Sequence, residues 1–244
     1  RGGVFRVLWD YLNDLLETKL WSGWLFFVLV ALVLYMFTLA PTILWADSGH
    51  LQLRAYKGEL RGSAGSHPLW VLISYLCIEL MPYGPAKSVN MVSAIFAALT
   101  VGFLYLALRA LDLGWIESVL SVVAFMVSHT FWSQAVQAEV YTLTLAFMVG
   151  ILWLGLRYYR TGNTLYLPVI AFIAGLGLSA HLMVLLYLPA LAWLVLQRKV
   201  SLWRFGTIIL AFFLGALPLL FLLYRDANAM QLQGLEVLQW ALFS

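Results

Sequence analysis

Asp47, Ser48, Gly49 and His50 stand at the mouth of an uncharged apolar run from Leu20 to Ala46. A carboxylate at that position is costly to keep unless water, a partner or chemistry uses it. Beside an apolar wall its pKa can move toward neutrality, so Asp47 can act as general base on a bound hydroxyl. The same residues also read as a helix start, with Asp47 as the N-cap ahead of Leu51 and Leu53. A second carboxylate, Glu139, lies in the string Gln134-Ala135-Val136-Gln137-Ala138-Glu139-Val140-Tyr141, between two apolar runs. It can orient a hydroxyl, hold a divalent metal with Asp47, assist proton transfer, or stabilise the amino end of the next helix.

His50, His67, His129 and His181 are the only four histidines. None forms a tight ligand spacing such as the helical i, i+4 pair, so metal binding is the minority reading and a divalent metal stays open. His181 falls between two short apolar runs, which makes a purely structural role harder to assign. Arg54, Lys57 and Arg61 recur every three or four residues, so a helix running on from Asp47 would carry them on one face. That face suits a phosphate group beside the membrane, through arginine forks and a lysine point charge, or ordinary lipid headgroups. Arg225, next to Asp226, is a further cation of this kind.

The elements that must hold these residues are membrane helices. Of the 244 residues 64% are hydrophobic and 10% charged, more apolar surface than a soluble core of this size can hide. The net charge of +3 is small and its positives are scattered, which excludes nucleic acid as a partner. Cys77 is the sole cysteine, so no internal disulfide forms. The tryptophans cluster near span ends, as an aromatic belt does. No cleavable signal peptide is evident, and the chain, beginning at Arg1 and stopping at Ser244 in apolar sequence, reads as one piece of a longer protein.

Residues 1–19 read as an amphipathic cytoplasmic-surface helix, with Phe5, Leu8, Tyr11, Leu12, Leu15 and Leu16 opposite Arg6, Asp10, Asn13, Asp14 and Glu17. Runs long enough to span follow at roughly 20–40, 88–108, 115–132, 141–158, 164–180, 182–197 and 205–223. Residues 20–224 thus make a transmembrane module of about seven helices, with an outer loop at 41–87 and an outer-face segment at 225–244. The 14-residue stretch Pro68 to Met81 is short for a span. If it does not cross, nine basic residues share one side (Arg1, Arg6, Lys19, Arg109, Arg157, Arg160, Arg198, Lys199, Arg204) against five on the other. If it crosses, the first side keeps only Arg1, Arg6, Lys19, Lys87 and Arg225. The positive-inside tendency therefore favours seven spans with a cytoplasmic amino terminus and Pro68 to Met81 along the outer surface. Asp47 to His67, His129 to Tyr141, His181 and Arg225 then share the outer face.

Four motifs in order carry a family resemblance: Pro41-Thr42 to Asp47-Ser48-Gly49; His67-Pro68-Leu69-Trp70; Trp132-Ser133-Gln134 to Ala138-Glu139-Val140-Tyr141-Thr142-Leu143; and Gly175-Leu176-Gly177-Leu178-Ser179-Ala180-His181. Together they resemble the GT-C membrane glycosyltransferases of the protein O-mannosyltransferase-like branch, over about residues 20–200. The resemblance implies an all-α, GT-C-like module with juxtamembrane helices in the first outer loop. It also implies transfer of a mannose-like sugar from a polyprenyl-phosphate donor to a hydroxyl on a protein or glycan acceptor, at the outer or luminal face. Asp47 then maps to the catalytic acid of the first loop. His50, Arg54, Arg61, His67, Gln134, Glu139, Tyr141 and His181 become substrate-binding candidates, and membrane lipids and a larger membrane complex become partners. A bacterial plasma membrane is expected over the endoplasmic reticulum. Two departures stand out: His50 occupies the place of a family Glu, and Ser63 to His67 replaces most of an H-P-P-G-Y segment. The competing expectation is a non-catalytic subunit or scaffold with a GT-C-like fold. A transporter ranks third, because the spans carry few charges and few mid-helix Gly or Pro breaks.

Overall fold

The computed structural model describes residues 20–197 and 200–243, so the amphipathic helix expected over 1–19 lies outside the described residues. Those described form α-helices and short 3-10 segments, with no strand among them. Helix α1 (Leu20–Phe37) leads through an extended stretch into α2 (Ala46–Lys57), a 3-10 turn at Ala64–Ser66 and α3 (Pro68–Leu80). Then come α4 (Pro85–Ala110), α5 (Trp115–Met126), α6 (His129–Ala135) and α7 (Tyr141–Thr161). The last elements are α8 (Tyr166–Leu178), a 3-10 segment at Leu182–Tyr187, α9 (Leu188–Leu196), α10 (Leu202–Ala229) and α11 (Leu235–Phe243).

Helix α4 is the axis of the fold. Its 26 residues reach about 39 Å, more than the hydrocarbon thickness of a bilayer. Small buried residues along it, including Ser88, Ser93, Ala94, Ala97, Ala98 and Gly102, let α1 and α7 approach closely on either side. Trp24 and Val28 of α1 sit against Gly102, and Tyr105 of α4 sits against Gly23. The buried Tyr35 hydroxyl donates to the Met126 carbonyl at 2.9 Å, tying α1 to the end of α5.

Among the described residues four helices, α1, α4, α7 and α10, are long and apolar enough to cross a membrane. The pair α5 and α6, bent by 64°, makes a fifth if it is one span. The protein is therefore a multi-pass integral membrane protein. The runs read at 164–180 and 182–197 fold into shorter pieces. Helix α8 stops at Leu178, and a 3-10 segment precedes α9, where Pro189 occupies the first turn. The stretch after His67 becomes the 13-residue α3, packed on α2 and α4. At the other end α10 continues past 224 to Ala229 without a break.

Helices α8 and α10 meet through two glycines. A Cβ on Gly175 would run into the Phe212 carbonyl oxygen, and one on Gly215 into the Phe172 carbonyl oxygen. Gly175→Ala or Gly215→Ala should lower stability by about 1–3 kcal/mol through overpacking, read as a lower unfolding midpoint in detergent. Gly206→Ala, whose Cβ meets nothing within 4 Å, serves as the control and should not fall.

Candidate active site

Asp47 lies in the first turn of α2 with its side chain exposed, two residues past the N-cap, which is Trp45 and not Asp47 as the helix-start reading expects. Three features fix that turn. Ala46 adopts a left-handed backbone, φ 55°, a strained state for a residue with a Cβ. A Cβ on Gly49 would collide with the Leu44 carbonyl oxygen, so the chain can fold back this tightly only with glycine there. A chain of amides does the rest. Gln52 accepts from Leu44 N–H at 3.2 Å and donates to Asn90 Oδ1 at 2.8 Å, while Asn90 donates to the Ala40 carbonyl at 2.8 Å. Gln52 and Asn90 are both buried, so a site helix is locked to the central membrane helix.

Glu139 faces the same turn. Ser48 Oγ donates to Glu139 Oε1 at 3.1 Å. The Ser93 hydroxyl accepts from Glu139 N–H at 3.0 Å and donates to the Glu139 carbonyl at 3.1 Å. Burial pushes the Glu139 carboxyl above its usual range; the Ser48 hydrogen bond opposes the rise and the charge of Asp47 adds to it. The two carboxylates of the sequence reading thus share one electrostatic environment.

A second group forms beside them. His67 and His181 stack with ring centroids 5.0 Å apart and planes 16° apart, and Tyr141 lies 5.7 Å from His181. His67 Nδ1 bonds the Ala180 carbonyl at 2.8 Å, and Leu69 N–H donates to the Ser179 carbonyl at 2.9 Å. Leu51 and Ala55 of α2, Trp70 and Val71 of α3, Ala138, Val140 and Ala180 lie in one buried cluster beneath both groups.

The basic residues are arranged differently from the sequence expectation. Arg54, Lys57 and Arg61 do not share a helix face, because Gly58, at φ 62°, terminates α2 and Arg61 lies in the following loop. Arg54 Nη2 donates to the Ser66 carbonyl at 2.6 Å, and its buried Nε has no partner among the described residues. Arg61 and Lys57 lie near Glu59, at 3.5 and 3.8 Å. Arg54, Arg61 and Arg225 nevertheless line one cleft of about 580 Å³, with Ser63, Ser66 and Asp226. Asp226 holds its shape: one oxygen accepts from Gly62 N–H at 2.8 Å, the other from Arg225 at 2.6 Å, and Arg225 also donates to the Leu60 carbonyl. Burial lowers the Arg54 pKa, with Arg61 adding to the fall and Glu59 opposing it.

Other candidates lie apart. His50 lines a separate cavity of about 840 Å³ with Trp45, Tyr56 and Lys87. Gln134 keeps a buried side-chain oxygen without a partner among the described residues. His129 borders a smaller hollow with Trp132 and Ser133. Among the described residues no group of three or more His, Cys, Asp or Glu side chains is placed to hold a metal ion. Ser48 enters the sequence analysis only as a member of the Asp47–His50 cluster, with no role of its own, and Ser93, Gln52 and Asn90 do not enter it; the signal for the last was an amide inside an apolar run, which must find a partner.

His67 gives the site a pH dependence. Burial pulls its pKa from the usual 6.5 down to about 4, with its Ala180 hydrogen bond opposing and His181 and Arg54 adding to the fall. The unfolded chain binds the proton first, so this stability is present above pH 6.5 and is lost as pH falls toward 4. Its upper limit is about 3 kcal/mol. Unfolding midpoints should drop between pH 6.5 and 4.5, and His67→Asn, which the left-handed backbone at φ 49° accepts, should remove that part of the drop.

Comparison with known proteins bears on this site. Residues 47–204 match the family described as Protein O-mannosyl-transferase TMEM260 N-terminal domain. The protein named Protein O-mannosyl-transferase TMEM260 from Mus musculus is 27% identical over 198 residues, covering 77% of this chain and 28% of that protein. Its namesake from Dictyostelium discoideum is 23% identical over 194 residues, covering 70% of this chain and 23% of that protein. The chain thus spans about a quarter of the length of these curated relatives. No solved structure matches. With the family match beginning at Asp47 itself and running through Glu139 and His181, the chain belongs to the TMEM260 N-terminal domain family of protein O-mannosyl-transferases.

Proposed function

We propose that this chain is the GT-C-like, amino-terminal membrane module of a glycosyltransferase that moves mannose from a polyprenyl-phosphate donor to a hydroxyl on a protein. The observation that carries the reading is the pairing of an exposed Asp47 with a half-buried Glu139, on an apolar cluster and one short helix away from a three-arginine cleft. Asp47 and Arg54 are seven residues apart in α2, hence on one face and about 10 Å apart along the axis. The names of the relatives support the sugar and the protein acceptor. The site faces the outer or luminal side, with the amino terminus in the cytoplasm.

The chemistry is a single displacement. Asp47 takes the proton of the acceptor hydroxyl as its oxygen forms a bond to the anomeric carbon. The bond from that carbon to the donor phosphate breaks, and its electron pair leaves with the phosphate, inverting the anomeric centre. Arg54, Arg61 and Arg225 stabilise the departing lipid phosphate. Glu139, held by Ser48 and Ser93, keeps the first turn of α2 in place and orients the acceptor.

The test is mannose transfer by purified full-length protein from a short-chain polyprenyl-phosphate mannose to an acceptor protein. Asp47→Asn should reduce kcat by about 10²–10⁴ at unchanged folding. Arg54→Ala should raise KM for the donor about ten- to hundredfold, and Arg225→Ala should do so with some loss of stability. Full activity in Asp47→Asn would remove Asp47 from the chemistry. No turnover by a well-folded wild type across a panel of lipid donors would favour the non-catalytic subunit, a reading to which His50 in place of a family Glu lends weight.

A further inference from the structure

His67 and His181 have opposite hydrogen-bonding characters imposed on them by the backbone. A carbonyl oxygen only accepts, so His67 Nδ1, 2.8 Å from the Ala180 carbonyl, must carry the ring proton. Its Nε2 is then a bare lone pair. An amide N–H only donates, so His181 Nδ1, which receives Met183 N–H at 3.0 Å as the cap of the 3-10 segment, must be unprotonated. Its Nε2 then carries the proton. Burial lowers both pKa values, which keeps both rings neutral near pH 7.

The two rings lie nearly parallel, 5.0 Å apart. Neither Nε2 has a hydrogen-bond partner among the described residues, and neither is sealed from solvent. One acceptor and one donor are therefore carried on neighbouring rings whose centroids are 5.0 Å apart. Tyr141, 41% exposed, leans toward His181 at 37° and offers an open aromatic face beside them. The arrangement is built rather than incidental. His67 holds a left-handed backbone, φ 49°, between the 3-10 turn and α3, and Leu69 N–H pins the same strand of chain to Ser179.

The donor set selects the ligand. A phosphate wants donors only, and the His67 lone pair would repel it. A metal wants two lone pairs, and His181 has already committed its own to Met183. A neutral polyol fits, because each hydroxyl both donates and accepts. We propose that His67 and His181 together grip two neighbouring hydroxyls of a pyranose, His67 Nε2 accepting and His181 Nε2–H donating, with Tyr141 against the C–H face of the sugar ring. This deepens the transferase reading by assigning the sugar subsite and rests on it for the identity of the sugar as mannose.

Asparagine separates the outward role from the structural one. In His67→Asn the side-chain amide can still donate to Ala180, and asparagine tolerates the left-handed backbone. In His181→Asn the side-chain oxygen can still cap Met183 N–H. Both variants lose only the outward nitrogen. Full-length protein in nanodiscs, as wild type and as each variant, is titrated with methyl α-mannopyranoside and its monodeoxy analogues, read by saturation-transfer NMR, alongside the transfer assay. In wild type, removing one of two adjacent hydroxyls should weaken binding about three- to tenfold, and in the matching Asn variant that penalty should vanish while the unfolding midpoint holds. An unchanged ranking of analogues in the variants overturns the proposal, even if mannose transfer is observed. A His-dependent ranking without any transfer upholds the sugar subsite and overturns the transferase reading. No mannoside contact in the wild type overturns the subsite.

Discussion

Glu139 is the residue through which the membrane part of the fold and the site are joined. It lies in the irregular connection between α6 and α7, where the backbone leaves helical geometry beside apolar surroundings and must find partners elsewhere. Ser93 supplies them, taking the Glu139 N–H and returning its own proton to the Glu139 carbonyl. With the backbone so anchored to α4, the carboxyl can receive Ser48 and fix the first turn of α2. One serine on the central helix thereby sets where two carboxylates stand. The Gln52–Asn90 amide pair repeats the device a turn further along, again with the partner on α4. Buried polar pairs of this kind specify one arrangement, because any slippage of α2 along α4 leaves an amide unpaired in a medium without water.

The parts of this architecture legible in the sequence were those that local rules decide. An acid after a long uncharged run marks the start of α2, and the helical texture follows from composition. Of the loop residues that the charge distribution would gather on one face, the structure brings Glu139 to Ser48 and His67 to His181, while His50 and His129 border separate hollows. What local rules could not reach was decided by tertiary contacts or by a single glycine. Gly58 ends α2 early and moves Arg61 off its expected face, yet Arg61 still reaches the cleft because the loop at Ser63–Ser66 folds back under Arg54. The 64° bend between α5 and α6 has no proline to announce it. Helices α8 and α9 are shorter than the apolar runs at 164–180 and 182–197 that contain them, because periodicity alone cannot measure where a helix stops. His67 and His181 are 114 positions apart in a sequence that gives no hint of their stacking; only the fold brings the rings together.

The glycine pair between α8 and α10 gives the cleft its third arginine. Close approach at Gly175 and Gly215 holds α10 against the body of the protein, although most of its apolar surface faces outward. Ten residues beyond Gly215 the same helix delivers Arg225 and Asp226 to the loop at Leu60 and Gly62. The three-arginine cleft therefore depends on packing well below it, transmitted along the continuous helix α10.

That same contact has a temporal meaning. The Gly62 N–H and the Leu60 carbonyl find their partners 164 and 165 residues later in the chain. At ordinary rates of synthesis the ribosome needs on the order of 10–30 s to cover that distance. During this interval the loop has left the ribosome with its future partners still untranslated. The nascent chain thus carries an open, unfinished loop, exposed to chaperones and translocation machinery, until α10 arrives to close it.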